Sequence, residues 1–128
     1  SDLLKNKITY AVACSSARVL GEACADNATT YIGYNEYFVL NLDRRFFSDP
    51  LRDEKAGRFL EPSNKVALSL IKGHTAKEAS ENSKKAFREN IISLLSKSNP
   101  DVDALDDAKN LYWNMTHQVC LGNGEVKL

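Results

Sequence analysis

The sequence predicts an α/β fold in which a buried sheet is flanked by helices, and three observations favour it. Residues 7–14 are rich in β-branched and small apolar residues without strict polar alternation, as expected for a strand covered on both faces. Residues 28–33 form a second stretch of this kind, and helical periodicity separates the two. Clear helix signals follow from Glu61 onward. Strands that alternate with helices are typical of a sheet with parallel strands.

The residue pattern in the first third of the chain predicts a β-α-β unit. Ser15 or Ser16 can cap the helix after the first strand, and that helix is expected to end near Asn27. A right-handed crossover then brings the second strand parallel to the first. Cys14 therefore belongs at the carboxyl edge of the sheet, where ligands bind in open α/β folds.

Residues 34–60 are predicted to mix loop and helix, because aromatic residues, charges and Pro50 follow no dominant period. The stretch YFVLNL within them suits either a short strand or a covering segment. A helix is expected from Glu61, with Pro62 in its first turn, Lys72 at its end and Gly73 as its C-terminal cap.

Two further helices have sharper start signals. Thr75 and Glu78 have the spacing of a capping box, and an apolar stripe follows them to about Ser96. Asn99 and Pro100 predict the beginning of the next helix. At the end of the chain, HQVCL and EVKL flank the glycine-rich turn at residues 122–124, which predicts a closing hairpin.

Composition argues against nucleic-acid-binding, membrane-spanning and secreted classes of protein. The 128 residues include 17 basic and 17 acidic side chains, so no net charge favours nucleic acid or an anionic membrane surface. The chain has no apolar run of the roughly 18 residues that a membrane-spanning helix needs, and its first residues lack a signal-peptide core. We expect one domain, or a large piece of one, in the cytoplasm. The three widely spaced cysteines predict free thiols rather than disulfides.

Cys14 is the candidate for chemistry. A thiol at the start of a helix has a lowered pKa because the helix dipole and unpaired N–H groups favour the thiolate. Ser15 next to it is small and leaves room for a substrate. The alternative is that Cys14 packs in the core as a small apolar residue.

Three segments resemble one family of enzymes. ITYAVACSSARVLGEACADNATTYIGY is similar to the part of caspase-like peptidases, especially the clostripain, gingipain and CHAT branches, in which a strand ends in Ala-Cys-small-small. LIKGHTAKEASENSKKAF resembles the helix start Leu-x-x-Gly-x-Thr-x-x-Glu-Ala of that family, and HQVCLGNGEVKL resembles its closing hairpin. The order of the three segments also matches, over nearly the whole chain.

The resemblance implies a caspase-haemoglobinase-like sheet with flanking helices, of which residues 1–128 are the C-terminal portion. It implies a cysteine endopeptidase in which Cys14 is the nucleophile and Ser15, Tyr34, Asn35 and Glu36 contact a peptide or protein substrate. Glu36 then selects a basic side chain, unless it is an ordinary solvated carboxylate.

The histidine of the resembling family lies some tens of residues before the cysteine, whereas only thirteen residues precede Cys14 here. The resemblance therefore implies that the upstream half of the domain, or a separate histidine-bearing chain, completes the site, and that this piece is inactive by itself. The strand at residues 7–14 would otherwise lie at an open edge, where a second copy could pair with it as a homodimer.

The remaining candidates are interpreted as structural. His74 reads as a solvated turn residue, and His117 as the start of a strand remote from the edge that carries Cys14, so neither replaces the missing histidine. We expect no metal and no cofactor.

The other cysteines, Cys24 and Cys120, are predicted to pack in the core. Tyr112 and Trp113 read as core aromatics rather than a platform for a ligand.

Two other functions stay open. One is an inactive caspase-like or CHAT-like interaction module, which a missing histidine-glycine segment upstream would favour. The other is a Rossmann-like or flavodoxin-like binder of small molecules. That reading needs a glycine-rich phosphate loop after the first strand, and CSSARVLG has a single glycine.

Overall fold

A three-stranded mixed sheet holds the predicted strands together. The computed structural model describes residues 8–10, 30–49 and 52–127, and within them the strands lie in the order β1-β2-β3. β2 is parallel to β1, as the β-α-β prediction requires, and antiparallel to β3. The strands are β1 (Ile8–Tyr10), β2 (Thr30–Tyr34) and β3 (Gln118–Gly122). The predicted helix after Cys14 lies outside the described residues.

Three helices complete the described part of the chain and give it the α/β character that the sequence predicts. None of these helices is long and apolar enough to cross a membrane. A short 3-10 turn at Arg44–Phe46 precedes them. The helices are α1 (Glu54–Ile71), α2 (Ala76–Leu95) and α3 (Val102–His117).

The predicted start of α1 is wrong. The helix begins at Glu54 rather than at Glu61, because the Asp53 carboxylate accepts a hydrogen bond from the Ala56 N–H at 2.9 Å and caps the helix there. Pro62 is consequently an interior residue of α1 and not part of its first turn.

The predicted end of α1 is confirmed. Gly73 adopts φ +95°, which favours glycine, and its N–H bonds to the carbonyl oxygen of Leu70 at 3.1 Å. The next N–H, of His74, bonds to the carbonyl oxygen of Ser69 at 3.1 Å. These two bonds form a Schellman motif, which satisfies carbonyls that the helix end leaves free.

The capping box of α2 is also confirmed: Thr75 Oγ1 accepts from the Glu78 N–H at 3.1 Å, and Glu78 Oε1 accepts from the Thr75 N–H at 3.0 Å.

The predicted closing hairpin is wrong. Residues 123–127 form no strand; instead the carbonyl oxygens of Val126 and Gly124 accept from the first two N–H groups of α2, each at 2.8 Å. The end of the chain therefore serves as a second cap for α2.

The predicted start of α3 is shifted by two residues. Asp101, not Asn99, is the N-cap, and its carboxylate accepts from the Ala104 N–H at 2.8 Å. Pro100 therefore precedes the helix instead of lying in its first turn.

Two apolar clusters hold the layers together. In the first, Ile32 of β2 packs against α1 and α2 (Val66, Leu70, Ala76 and Ala79). The second joins the three helices beyond the sheet (Phe59, Phe87, Leu94, Ala104, Ala108 and Leu111). Because α3 ends where β3 begins, its last turn lies beside the end of β2.

Candidate functional site

The candidate site is the edge of the sheet at which the parallel strands β1 and β2 both end. Tyr34 is the last residue of β2, and Asn35 and Glu36 follow it directly, so three of the predicted site residues lie at this edge. Cys14 and Ser15 lie outside the described residues, as does Cys24. Cys14 follows Tyr10, the last residue of β1, by four positions in the sequence.

Tyr34 is wholly buried, so its ring belongs to the protein interior. Its hydroxyl donates to Ser63 Oγ at 3.3 Å and accepts from Gln118 Nε2 at 3.1 Å. The Tyr10 hydroxyl lies 3.5 Å from that of Tyr34 and donates to the Ser63 carbonyl oxygen at 2.8 Å. Burial, reinforced by the neighbouring Tyr34, raises the pKa of Tyr10 well above its ordinary value. These bonds fix the ends of β1 and β2 to α1.

The same polar network reaches α2 through Gln118, the first residue of β3. Gln118 Oε1 accepts from Ser80 Oγ at 2.6 Å, and Gln118 Nε2 donates to Ser83 Oγ at 2.9 Å. Ser83 in turn donates to the carbonyl oxygen of Pro62 at 2.6 Å. A buried network with its donors and acceptors paired specifies one arrangement of the strands beneath the site.

Asn35 makes the link between this edge and α3. Its N–H donates to the carbonyl oxygen of His117 at 2.9 Å. Its Oδ1 is buried and has no hydrogen-bond partner among the described residues, which is uncommon for a buried acceptor. Glu36, the next residue, is partly exposed.

His117 lies at the same edge, which corrects the sequence-based prediction in two respects. It is the last residue of α3 rather than the start of a strand, and it is close to the end of β2 rather than remote from it. The reason is the antiparallel pairing: Gln118 lies opposite Tyr34, so β3 begins where β2 ends. His117 is the residue before that pair.

The imidazole of His117 is held in one orientation. Its Nδ1 lies 2.7 Å from the carbonyl oxygen of Trp113, one helical turn earlier. A carbonyl oxygen can only accept, so Nδ1 carries the hydrogen, and in the neutral ring Nε2 keeps its lone pair. Thr116 Oγ1 is 3.3 Å from the same Nδ1.

Three aromatic rings form a stack beside Asn35. Tyr37 stacks on Trp113 at 5.1 Å between ring centroids, and Trp113 lies 4.1 Å from His117. Trp113 Nε1 donates to the Tyr37 carbonyl oxygen at 2.9 Å, which fixes the pair. Tyr37 is 52% exposed, so the stack presents an aromatic surface to solvent.

The prediction that Trp113 and Tyr112 are core aromatics is therefore wrong. Trp113 is only partly buried, and Tyr112 is 57% exposed. On α3 the core position belongs to Leu111, which is wholly buried. Successive helical residues are about 100° apart, so the two residues that follow Leu111 turn away from the core.

The stretch 37–42 is a covering segment rather than a strand, and side chains of α3 hold it. Asn114 Oδ1 accepts from the Val39 N–H, and Asn114 Nδ2 donates to the Val39 carbonyl oxygen, each at 2.8 Å. Further along, Asn41 Nδ2 donates to Asp107 Oδ1 at 2.7 Å. Phe38, directly before Val39, packs on the helical core and meets Tyr34 edge to face at 5.0 Å. The segment is thus anchored right up to the site.

The remaining histidine and the described cysteine do not join this edge. His74 lies in the turn after α1, with its Nδ1 3.8 Å from Glu78 Oε2. Cys120 is partly buried inside β3, and burial raises the pKa of its thiol although Lys84 opposes the effect. Its packing agrees with the prediction. Among the described residues no group of three His, Cys, Asp or Glu side chains could hold a metal ion.

A charged cavity of about 1200 Å³ lies at the far end of the helices, between the start of α1, the end of α2 and the start of α3. The buried carboxylate of Asp107 lines it, with Lys55 at 2.9 Å and Arg58 at 3.6 Å. Along α3, Asp107 and His117 are ten residues apart, so about 15 Å at 1.5 Å per residue separates the cavity from the carboxyl edge. Its ion pairs join α1 to α3 and are not part of the candidate site.

The chain was compared with protein-family models, curated proteins and solved structures. None of them matches it.

Proposed function

We propose that this chain is the nucleophile-bearing part of a caspase-like cysteine peptidase, with Cys14 at the carboxyl edge of the sheet. The observation that supports the proposal best is the parallel pairing of β1 and β2, with Asn35 and Glu36 directly after β2. In open α/β sheets, ligands bind beyond the carboxyl ends of parallel strands. Cys14 comes four residues after β1 in the sequence, so the proposed nucleophile and the proposed substrate contacts follow neighbouring strand ends.

The reaction follows thiol chemistry. The Cys14 thiolate attacks the peptide carbonyl carbon, and the resulting oxyanion takes hydrogen bonds from backbone N–H groups. The C–N bond then breaks, the amine leaves with a proton from a histidine, and water hydrolyses the thioester. The resemblance implies that this histidine belongs to an upstream half of the domain or to a separate chain. We propose that this histidine-bearing part is the partner of residues 1–128, and that the peptidase acts in the cytoplasm.

The substrate contacts are assigned from the same edge. Asn35 and Glu36 follow the buried end of β2, and the half-exposed Tyr37 comes next. We propose that an extended peptide runs past these residues and that the Glu36 carboxylate favours a basic side chain. Ser15 provides space beside the nucleophile.

Peptide hydrolysis by the longest natural form of the protein tests this proposal. Fluorogenic peptides with a basic, acidic or apolar residue before the scissile bond would be compared. We expect turnover that Cys14→Ala abolishes and that the matched variant Cys120→Ala retains. Turnover that survives Cys14→Ala would contradict the assignment, and so would a natural form that hydrolyses none of the peptides.

A second function, a peptide-binding module without catalysis, is favoured by one observation. The exposed ring of Tyr37 is fixed by stacking and by the bond from Trp113, and a rigid aromatic surface is a common anchor for ligands. This function predicts peptide binding that Tyr37→Ala weakens and Cys14→Ala leaves unchanged, measured by fluorescence anisotropy. Hydrolysis in the previous experiment would exclude it.

A further inference from the structure

We propose that a small groove between α1 and α2 binds a phosphate group carried by a small soluble molecule. The groove has a volume of about 290 Å³ and shares no lining residue with the charged cavity or with the carboxyl edge. The inference therefore goes beyond the proposed peptidase and does not depend on it. Three features of the described residues support it: the charge of the groove walls, the hydrogen-bonding groups at its floor, and its size.

Three lysines meet at the groove from two helices. Lys65 and Lys72 are seven residues apart, which is two turns, so both leave α1 and its C-cap on the same side. Lys85 of α2 lines the opposite wall. None of the three ammonium groups forms an ion pair or a hydrogen bond among the described residues. Unpaired charges of one sign repel each other, and a bound anion removes that repulsion.

Little negative charge opposes these lysines. Among the described residues that line the groove, Glu89 supplies the one carboxylate. His74 also lines it, but its Nδ1 lies 3.8 Å from Glu78 Oε2, so the argument rests on the lysines. The charged cavity differs, because six basic and seven acidic side chains line it and its buried Asp107 is already paired. The excess of positive charge therefore belongs to the groove, and it favours an anion.

The floor of the groove offers a buried donor. Ser69 lines the groove although only 5% of the residue is exposed. Asn82 Nδ2 donates to Ser69 Oγ at 3.2 Å, so the hydroxyl oxygen is the acceptor in this bond. The hydroxyl hydrogen has no acceptor among the described residues. A buried donor without an acceptor is costly, and an oxygen of a bound anion would satisfy it.

The chemistry of these donors suits a phosphate group. An ammonium group acts as a compact point charge, and several of them can approach different phosphate oxygens while Ser69 donates to another. A carboxylate offers only two oxygens in one plane and leaves part of this set unused. Drug-sized ligands occupy pockets of about 300–1,000 Å³, so a groove at the low end of this range fits a small phosphorylated molecule.

Amide NMR titration of the full chain with sodium pyrophosphate and with glycerol phosphate tests the proposal. Sodium chloride would hold the ionic strength constant at pH 7, because exposed lysines attract any anion at low salt. We expect saturable shifts of the Ser69 and Asn82 amides with both phosphates. Sodium acetate at the same concentrations should leave these amides in place.

Four variants separate a built site from general charge attraction. Lys72→Gln should weaken pyrophosphate binding about threefold, because an exposed ion pair contributes little. Ser69→Ala should weaken it about tenfold, because it removes a buried bond to a charged acceptor. Glu89→Gln should tighten binding about threefold, because it removes the opposing carboxylate. Lys109→Gln on α3 makes the same charge change outside the groove and should match the wild type.

Lys72, Glu89 and Lys109 are exposed, so their variants keep the fold, and the amide spectrum checks that Ser69→Ala does so too. The absence of saturable shifts would overturn the inference, as would equal shifts with acetate or weaker binding in Glu89→Gln. Binding to vesicles that contain phosphatidic acid, without a response to either soluble phosphate, would also overturn it, because the lysines would then contact a membrane surface. The peptide-hydrolysis experiment is unaffected by any of these results.

Discussion

Asn90 of α2 donates from Nδ2 to the carbonyl oxygen of Arg58 in α1 at 3.0 Å. That carbonyl lies four residues before Pro62, which has no N–H to give it, so an interior proline would otherwise leave it without its helical partner. The neighbouring helix supplies the missing donor. This bond explains how α1 continues through a proline that the sequence suggested as its start.

Asn90→Ala should therefore destabilise the protein by about 1–3 kcal/mol, because a partly buried carbonyl loses its donor. Pro62→Ala restores an N–H at the position that can bond to Arg58. In the Pro62→Ala background, Asn90→Ala should cost clearly less, and chemical denaturation of the four variants measures the difference. Equal costs in both backgrounds would show that the two residues do not act on the same carbonyl.

The capping box of α2 predicts a loss of stability in acid. The Thr75 N–H bond lowers the pKa of Glu78 below its ordinary 4.5, with further help from the Thr75 side chain. A lowered pKa means that the carboxylate stabilises the folded state fully above pH 4.5, and that this contribution is lost as the pH falls through the folded-state value. The wild type should lose more stability between pH 6 and pH 3 than Glu78→Gln, whose amide keeps the cap without titrating.

Thermal melts across that pH range measure the effect. Glu81→Gln, on the same helix but outside the capping box, is the matched control and should follow the wild type. A Glu78→Gln variant that loses stability in parallel with the wild type would show that the capping box does not carry the acid sensitivity.

Asn114 should hold the covering segment against α3. Asn114→Ala removes both bonds to Val39, each 2.8 Å long, and should cost about 2 kcal/mol while speeding hydrogen exchange of the Val39 N–H. Asn110→Ala is the matched control, because Asn110 makes only longer contacts, at 3.3 and 3.4 Å, to Asn41 and Asp106. The same exchange rate at Val39 in both variants would mean that Asn114 does not anchor the segment.

Some local signals in the sequence predicted their elements correctly, whereas two equally local ones, the N-caps Asp53 and Asp101, were passed over in favour of nearby prolines. The Thr75 capping box and the Gly73 stop need only residues within a few positions of each other, and both are present. Elements that depend on distant residues were missed. Pro62 is tolerated inside α1 because Asn90 lies beside it, and the end of the chain caps α2 through Val126 instead of forming a hairpin.

The site shows the same division. The carboxyl edge after β2, with Asn35 and Glu36, follows from strand order and was predicted. The placement of His117 depends on whether β3 is parallel or antiparallel to β2, and the residue pattern HQVCL does not indicate which. One local signal was available: Trp113 and His117 are four residues apart, which puts them on one face of a helix once α3 is known to continue that far.

Competitive alkylation of the cysteines tests the central claim most directly. The native wild-type chain would be treated with limiting iodoacetamide at pH 7, and modification of Cys14, Cys24 and Cys120 would be quantified by mass spectrometry. We expect Cys14 to react at least about tenfold faster than Cys120, because the sequence predicts a helix directly after Cys14 and a thiol at a helix start has a lowered pKa, whereas burial raises the pKa of Cys120. Faster modification of Cys24 or Cys120 than of Cys14 would contradict the assignment of Cys14 as the nucleophile.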